Sequence, residues 1–267
     1  MRRAALVLLG AAMLLSAGCS RDEGSEAQPG TADAAAASAA HEKAVRAAVT
    51  ATLRGSARID GNISMGDRGE THSLAVRGRF DLAGDTGRLS VDLPGGAVGH
   101  VDEVFAGGTV YLRGVPAAAG GWAAIGRDAA EAHYLLRAPV NDPAHTLRQV
   151  AAMRYVSKVG EEKIKGVPAV HYRGALDYST ITRRMSQETR TKVAQMQESL
   201  GGTLPVHADA WIDGQQRLVR ARLSFGNAGI EVSNTLSLSD PGTPVKATAP
   251  ARGSVVRTSA VSGILLG

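Results

Sequence analysis

The sequence predicts an α+β domain, an antiparallel sheet of about ten short strands with one-sided helices laid against it. Three observations lead there. From Ser56 onward, apolar residues recur at every second position, the period of a half-buried strand. Tight Gly- and Asp-containing turns separate the runs, which joins neighbours antiparallel. Helical spacing is confined to a few segments whose apolar stripe is narrow, so each helix buries one side only.

The chain opens with Arg2 and Arg3, an apolar run from Ala4 to Leu15 and then small residues, the layout of an export leader. That run is too short to span a bilayer, which takes about 20 apolar residues in a helix. Leu15-Ser16-Ala17-Gly18-Cys19 resembles the lipobox of bacterial lipoproteins, with Ser16 a mild departure from it. The resemblance implies that residues 1–18 are removed and that Cys19 becomes the lipidated first residue. A secreted protein with a free thiol is the alternative. Residues 20–40 carry no apolar side chain larger than alanine, and 19–40 read as a flexible tether.

The folded domain is expected over residues 41–249. A helix is predicted for 34–54, with Val45, Val49 and Leu53 on one face and Gly55 at its end. Ala57, Ile59, Gly61, Ile63 and Met65 then alternate with polar residues, and Leu74, Val76, Gly78, Phe80 and Leu82 do the same. Leu89, Val91 and Leu93 continue that face until Pro94-Gly95-Gly96. Segments 101–105 and 109–113 form the next pair, followed by a loop through Pro116 that delivers Trp122.

A short helix is placed near 146–153 after Asp142-Pro143, then a hairpin of 155–164 and 167–176 turning at Lys165-Gly166. One long helix is predicted for 179–200, with Ile181, Met185, Val193, Met196 and Leu200 inward and Arg183, Arg184, Arg190 and Lys192 outward. Strands 204–212, 218–225 and 230–238 follow, Ile230 facing in, and 243–249 adds a last short strand. Residues 250–267 read as a loose tail.

Composition excludes several classes. With Cys19 lipidated, no thiol remains for a disulfide, zinc or a nucleophile. Without Arg2 and Arg3, 28 basic residues face 25 acidic ones, a scattered +3 that does not suggest a nucleic-acid partner. No nucleophile elbow, Walker loop, zincin motif or dinucleotide fingerprint is present, and no residue is assigned a catalytic role. His100, Asp102 and Glu103 cluster in sequence, but a strand would leave two ligands on a rim, so no metal or cofactor is expected. His171 and His207 fall on the solvated side of their strands. Trp211 falls on the outer side by parity, which calls for cover by another part of the chain or by a partner.

From Val159-Gly160 through Gly166-Val167, His171-Tyr172-Arg173-Gly174 and Asp177, the chain resembles the LppX/LprG-type lipoproteins, which share the LolA/LolB fold. Leu204-Pro205-Val206, Trp211-Ile212-Asp213 and Arg217-Leu218-Val219-Arg220 carry the likeness onward, and Thr109-Val110-Tyr111-Leu112-Arg113 with Trp122 fits the first half. The resemblance implies a curved half-barrel sheet wrapped on helices, an apolar cavity between them, and a lipid or glycolipid as ligand. It implies no catalytic residue. It leaves room for a membrane transporter as partner.

The inward residues support a cavity on their own account, because many are small and only 4% of the chain is aromatic. Its candidate lining on the first strands is Ile59, Ile63, Leu74, Val76, Phe80 and Leu89. The later chain adds Met185, Met196, Ala208, Ala210 and Leu223. The functional expectation is a lipoprotein on the outer face of the cytoplasmic membrane, held there through Cys19, that binds or carries an apolar ligand. The alternative is a lipoprotein with a packed core that acts through its surface, with Trp211 and Arg77, Arg79, Arg220 and Arg222 as the places to look.

Overall fold

A computed structural model describes residues 31–67, 69–95 and 98–258. The leader, Cys19 and the start of the tether lie outside the described residues. Twelve strands form one open curved sheet in the order β12-β6-β5-β4-β3-β2-β1-β11-β10-β9-β8-β7. In the first half these are β1 (Ser56–Asp67), β2 (Glu70–Asp81), β3 (Thr86–Asp92), β4 (His100–Ala106), β5 (Thr109–Arg113) and β6 (Trp122–Gly126). In the second they are β7 (Arg154–Ile164), β8 (Val167–Ala175), β9 (Val206–Asp213), β10 (Leu218–Asn227), β11 (Ile230–Ser239) and β12 (Val255–Arg257). Every neighbouring pair is antiparallel except β12 with β6. β1 joins the two halves by pairing with β2 on one side and β11 on the other.

Alternation sets the inner face as the sequence leads one to expect. Ala57, Ile59 and Gly61 of β1 lie inward with Leu74, Val76 and Phe80 of β2 and Leu89 and Val91 of β3. Helices α1 (Thr31–Thr52) and α2 (Pro143–Ala151) fill that face against β7, β9 and β10. α1 presents Val45, Ala48 and Val49, all buried, while its first turns are exposed. α2 starts where Asp142 accepts a hydrogen bond from the Ala144 N–H at 3.0 Å and Pro143 occupies the first turn.

Several expectations are corrected. The first helix begins at Thr31, three residues before the expected start at 34, so the end of the segment assigned to the tether is helical from 31 onward; its alanine-rich composition favours helix once α1 is nucleated by its packed end. The single long helix is two, α3 (Tyr178–Ile181) and α4 (Gln187–Ser199). Residues 184–186 leave the helix to pair with Ala132: its N–H donates to the Arg184 carbonyl at 2.8 Å, and the Ser186 N–H donates to Ala132 at 3.0 Å. Ser186 then caps α4 through the Thr189 N–H. Arg184 is accordingly not outward; its guanidinium donates to the Arg127 and Ala130 carbonyls.

No strand forms at 243–249, and the tail supplies β12 instead, which covers the edge of β6 through Val255–Arg257 beside Trp122–Ala124. Ile230 stays 43% exposed, because it sits in the last pair before the β10–β11 turn, beyond the reach of the helices.

Small inward residues turn out to serve close packing. A Cβ on Gly78 would lie 2.0 Å from the Arg88 carbonyl oxygen, so glycine there lets β3 approach β2. Ala208, Ala210 and Ala221 have no accessible surface beneath the helices.

Candidate ligand cleft

At the end of the sheet where β1 meets β2 and β11 begins, a cleft of about 430 Å³ opens to solvent. Its apolar wall comes from Ile63 and Met65 of β1, Leu74 of β2, Leu93 after β3, Leu135 in the loop before α2, and Val232 of β11. His72, Ser73, Tyr134 and Arg137 supply its polar atoms. The segment carrying Tyr134 to Arg137 is held in place from β11, where buried Asn234 donates to the Leu136 carbonyl at 2.9 Å. Its backbone is left-handed at Leu136 (φ 61°), Val140 (φ 45°) and Asn141 (φ 53°). For a β-branched residue such as Val140 that conformation is costly and survives only where the surroundings over-determine it.

Of the residues expected to line a cavity, Ile63 and Leu74 stand at this cleft. Ile59, Val76, Phe80, Leu89, Met185, Ala208, Ala210 and Leu223 lie in the packed core instead, at 4% exposure or less. Met196 packs against that core from α4, partly buried. A hollow wide enough for a hydrocarbon tail leaves accessible surface on its lining. Phe80, Ala208, Ala210 and Leu223 have none, so these four residues do not line such a hollow.

Behind the cleft runs a buried polar network. Arg127 makes a two-pronged contact with Asp142, Nε to Oδ2 at 2.8 Å and Nη2 to Oδ1 at 2.9 Å, and also pairs with Asp85. Its guanidinium lies 5.7 Å from the Phe80 ring centre and 5.8 Å from that of Phe105. Against the cost of burial, the hydrogen bonds and charges of Asp142 and then Asp85 raise the Arg127 pKa. Glu103 points inward from β4, fully buried, and accepts from Asn141 Nδ2 at 2.8 Å, while Arg137 donates to Asn141 Oδ1 at 3.2 and 3.4 Å. Burial pushes the Glu103 carboxyl up to about 8, against the lowering by Asn141 and Arg137.

His100 and Asp102 share the outer face, with His100 at 3.5 Å from Asp102 and 2.8 Å from Asp92, while Glu103 points the other way. Among the described residues no group of three His, Cys, Asp or Glu is placed to hold a metal ion. Trp211 is indeed on the outer face, and the chain covers it itself. Its ring stacks on His171 at 4.3 Å between centres, its indole N–H donates to Glu162, and Arg220 lies over it. His171 is consequently not solvated, being bonded to Asp209 at 2.7 Å, whereas His207 is exposed.

Sequence reading took Met65, Leu93 and Val232 as inward without placing them at a cavity, and missed Tyr134, Leu135 and Arg137. The one available signal was Arg137 itself, a lone charge inside the otherwise apolar run from Leu135 to Val140.

Fold and cleft together define the class: one open antiparallel sheet wrapped on helices, the architecture implied by the likeness to LppX/LprG-type lipoproteins, with an apolar cleft at one end and, among the described residues, no helix long and apolar enough to cross a membrane. No family model matches the chain. Over 120 residues it is 31% identical to an uncharacterized 31.2 kDa protein from the rplA-rplJ intergenic region of Streptomyces griseus, a match spanning 43% of this chain and 38% of that protein. Among solved structures it is similar to LprF from Mycobacterium bovis, at 18% identity and a TM-score of 0.47, over 80% of this chain and 98% of that one. It is also similar to lipoprotein LppX from Mycobacterium tuberculosis, at 14% identity and a TM-score of 0.44, over 79% of this chain and 99% of that one.

Proposed function

We infer that the chain is an extracytoplasmic lipoprotein, anchored through Cys19 to the outer face of the cytoplasmic membrane, that binds or carries an apolar or acylated ligand in the end cleft. The observation that carries this reading is the cleft itself, about 430 Å³ with a mainly aliphatic wall, within the size range of small-molecule sites. The mechanism is physical. Each buried methylene contributes about 0.8 kcal/mol, so a partly inserted acyl chain supplies the driving force without a catalytic group or cofactor. Ile63 and Leu74 are the sequence-derived contacts carried forward.

Two measurements test the reading. Native mass spectrometry of the full chain carrying Cys19→Ser, purified without detergent, should show exchangeable lipid, and Ile63→Arg or Leu74→Glu should reduce its occupancy about tenfold, since a charge in an apolar site is strongly disfavoured. A wild-type cleft that takes up no lipid ends the proposal. Separately, Cys19→Ser should move the protein from the membrane fraction to the soluble one in a bacterial host; unchanged membrane association would remove the anchor.

The packed state of Phe80, Ala208, Ala210 and Leu223 favours a second reading, a lipoprotein that works through its outer surface. A partner captured equally well by wild type and by Leu74→Glu, with no lipid bound to either, would select it.

A further inference from the structure

We propose that the cleft end of the sheet is the face turned to the bilayer, that Met65, Tyr155 and Ile230 on its rim dip into the membrane surface, and that the cleft exchanges its apolar ligand directly with that membrane. This deepens the reading above and rests on both its parts, the anchor at Cys19 and the apolar cleft. Strand register carries the cleft end from the β1–β2 turn through Ile230, Asn227, Val206 and Ala175 to Arg154 at the start of β7. There Glu42 of α1 accepts from the Tyr155 N–H at 3.1 Å, and His41 Nδ1 lies 3.3 Å from the Val156 carbonyl oxygen. At the opposite end, where β10 starts, Thr52 Oγ1 accepts from the Leu218 N–H at 3.2 Å. The helix therefore runs away from the cleft end, and residues 31–40, about 15 Å of helix, carry its start on toward the rim. Twelve residues, 19–30, join Cys19 to that start. Drawn out fully they span about 40 Å, little more than the about 33 Å of α1 itself. The opposite end of the sheet could meet the bilayer only with that link pulled nearly straight back along the body.

The rim suits that contact. Met65, Ile230 and Tyr155 are large side chains left 39%, 43% and 84% exposed. Met65 also lines the cleft, so wall and rim are continuous. Tyr155 holds left-handed backbone (φ 55°), costly for a bulky residue, and α1 pins it there through Glu42. A tyrosine presented in this way offers the apolar body and polar tip that settle at a bilayer surface. Val159 midway along β7, Val167 at the opposite end and Val256 on β12 are exposed too, but they do not line the cleft. Charge of both signs stands on the rim, Arg154 on β7 against Glu70 and Glu231 on β2 and β11, so the contact is apolar in kind and does not depend on anionic headgroups.

The lipidated chain, purified from the membrane fraction of a bacterial host and returned to phosphatidylcholine vesicles, tests the orientation. Cys19 is the chain's one cysteine and its thiol is taken by lipid, so Ile230→Cys or Val167→Cys gives a single site for a fluorophore; both side chains are exposed, so neither change opens the core. The fluorophore at 230 should lose most of its emission to spin-labelled lipid while the one at 167 keeps its own, with or without anionic lipid in the vesicles. Tyr155→Ser combined with Ile230→Ser should slow transfer of a fluorescent fatty acid from the vesicles into the chain at least about tenfold, because apolar area is lost from the docked face, and should leave the final occupancy unchanged. Equal quenching at both positions, quenching at 167 alone or quenching at neither overturns the proposal, as does a rim variant that fills as fast as the unmodified chain. Lipid found in the cleft by native mass spectrometry alongside any of these results leaves the carrier reading standing. A cleft that takes up no lipid ends the carrier reading, and the exchange proposed here with it.

Discussion

Asp142→Ala is expected to lower the folding free energy by about 3–5 kcal/mol, the cost of breaking a buried ion pair by removing one partner. Two jobs are lost at once. Asp142 is 1% exposed and meets Arg127 through both carboxylate oxygens, while its Oδ1 also accepts from the Ala144 N–H at the start of α2. Truncation leaves Arg127 buried against Phe80 and Phe105 with, among the described residues, only the half-exposed Asp85 as counter-ion. The cap alone accounts for about 1 kcal/mol, so the stranded guanidinium is the larger part.

Urea denaturation of the single variant and of the double variant Arg127→Met, Asp142→Leu checks this. The double variant should recover most of the loss, because replacing both charges leaves neither uncompensated. A single-variant cost below about 1 kcal/mol, or a double variant no better than the single, would show that the pair is not what holds this end of α2.

Glu103→Gln is expected to stabilise the protein at pH 8 by about 2–4 kcal/mol and to change little near pH 4.5. The sign follows from where the proton sits. The folded protein keeps the Glu103 proton up to about pH 8, while the unfolded chain releases it near 4.5, so across that window the folded state holds more protons and stability falls as pH rises. His145 on α2 acts oppositely, its pKa lowered to about 4 by burial, with Arg184, Arg148 and Arg183 adding to that effect against Asp142. Between about 4 and 6.5 the unfolded chain binds the extra proton, so this histidine makes stability rise with pH.

The two slopes oppose each other from 4.5 to 6.5, and the fall due to Glu103 stands alone from 6.5 to 8. Glutamine keeps an oxygen for Asn141 and has no proton to lose. Denaturation curves at pH 5, 6.5 and 8 for wild type and Glu103→Gln should therefore converge at low pH and separate at high pH. Parallel curves would mean that Glu103 titrates normally in the folded state.

Much of the sheet was legible because alternation is local. β1, β2, β3 and β5 lie where Ile59, Val76, Leu89 and Val110 alternate with polar neighbours, and β9, β10 and β11 are punctuated by Asp213-Gly214 and by the turn between Asn227 and Ile230. β6 escaped notice because Ala123, Ala124 and Ile125 are all buried, which erases the period. The break between α3 and α4 could not be read either. It is made by Ala132, some fifty residues upstream, pairing with Met185 in preference to a continuous helix. The misjudged filling of the sheet has a similar origin, since Gly78 and Ala208 look like missing volume in a sequence and prove to be places where backbone or helix comes close.

The sequence by itself determined which side of most strands is apolar and that helices cover the sheet, because each depends on a period within a few residues. Only the tertiary structure decided where open space remains at the end of the sheet. Empty space is the difference between what a sheet encloses and what distant segments fill, and here that difference is set jointly by Ile63, Leu74, Leu93, Arg137 and Val232, which no single stretch of chain contains.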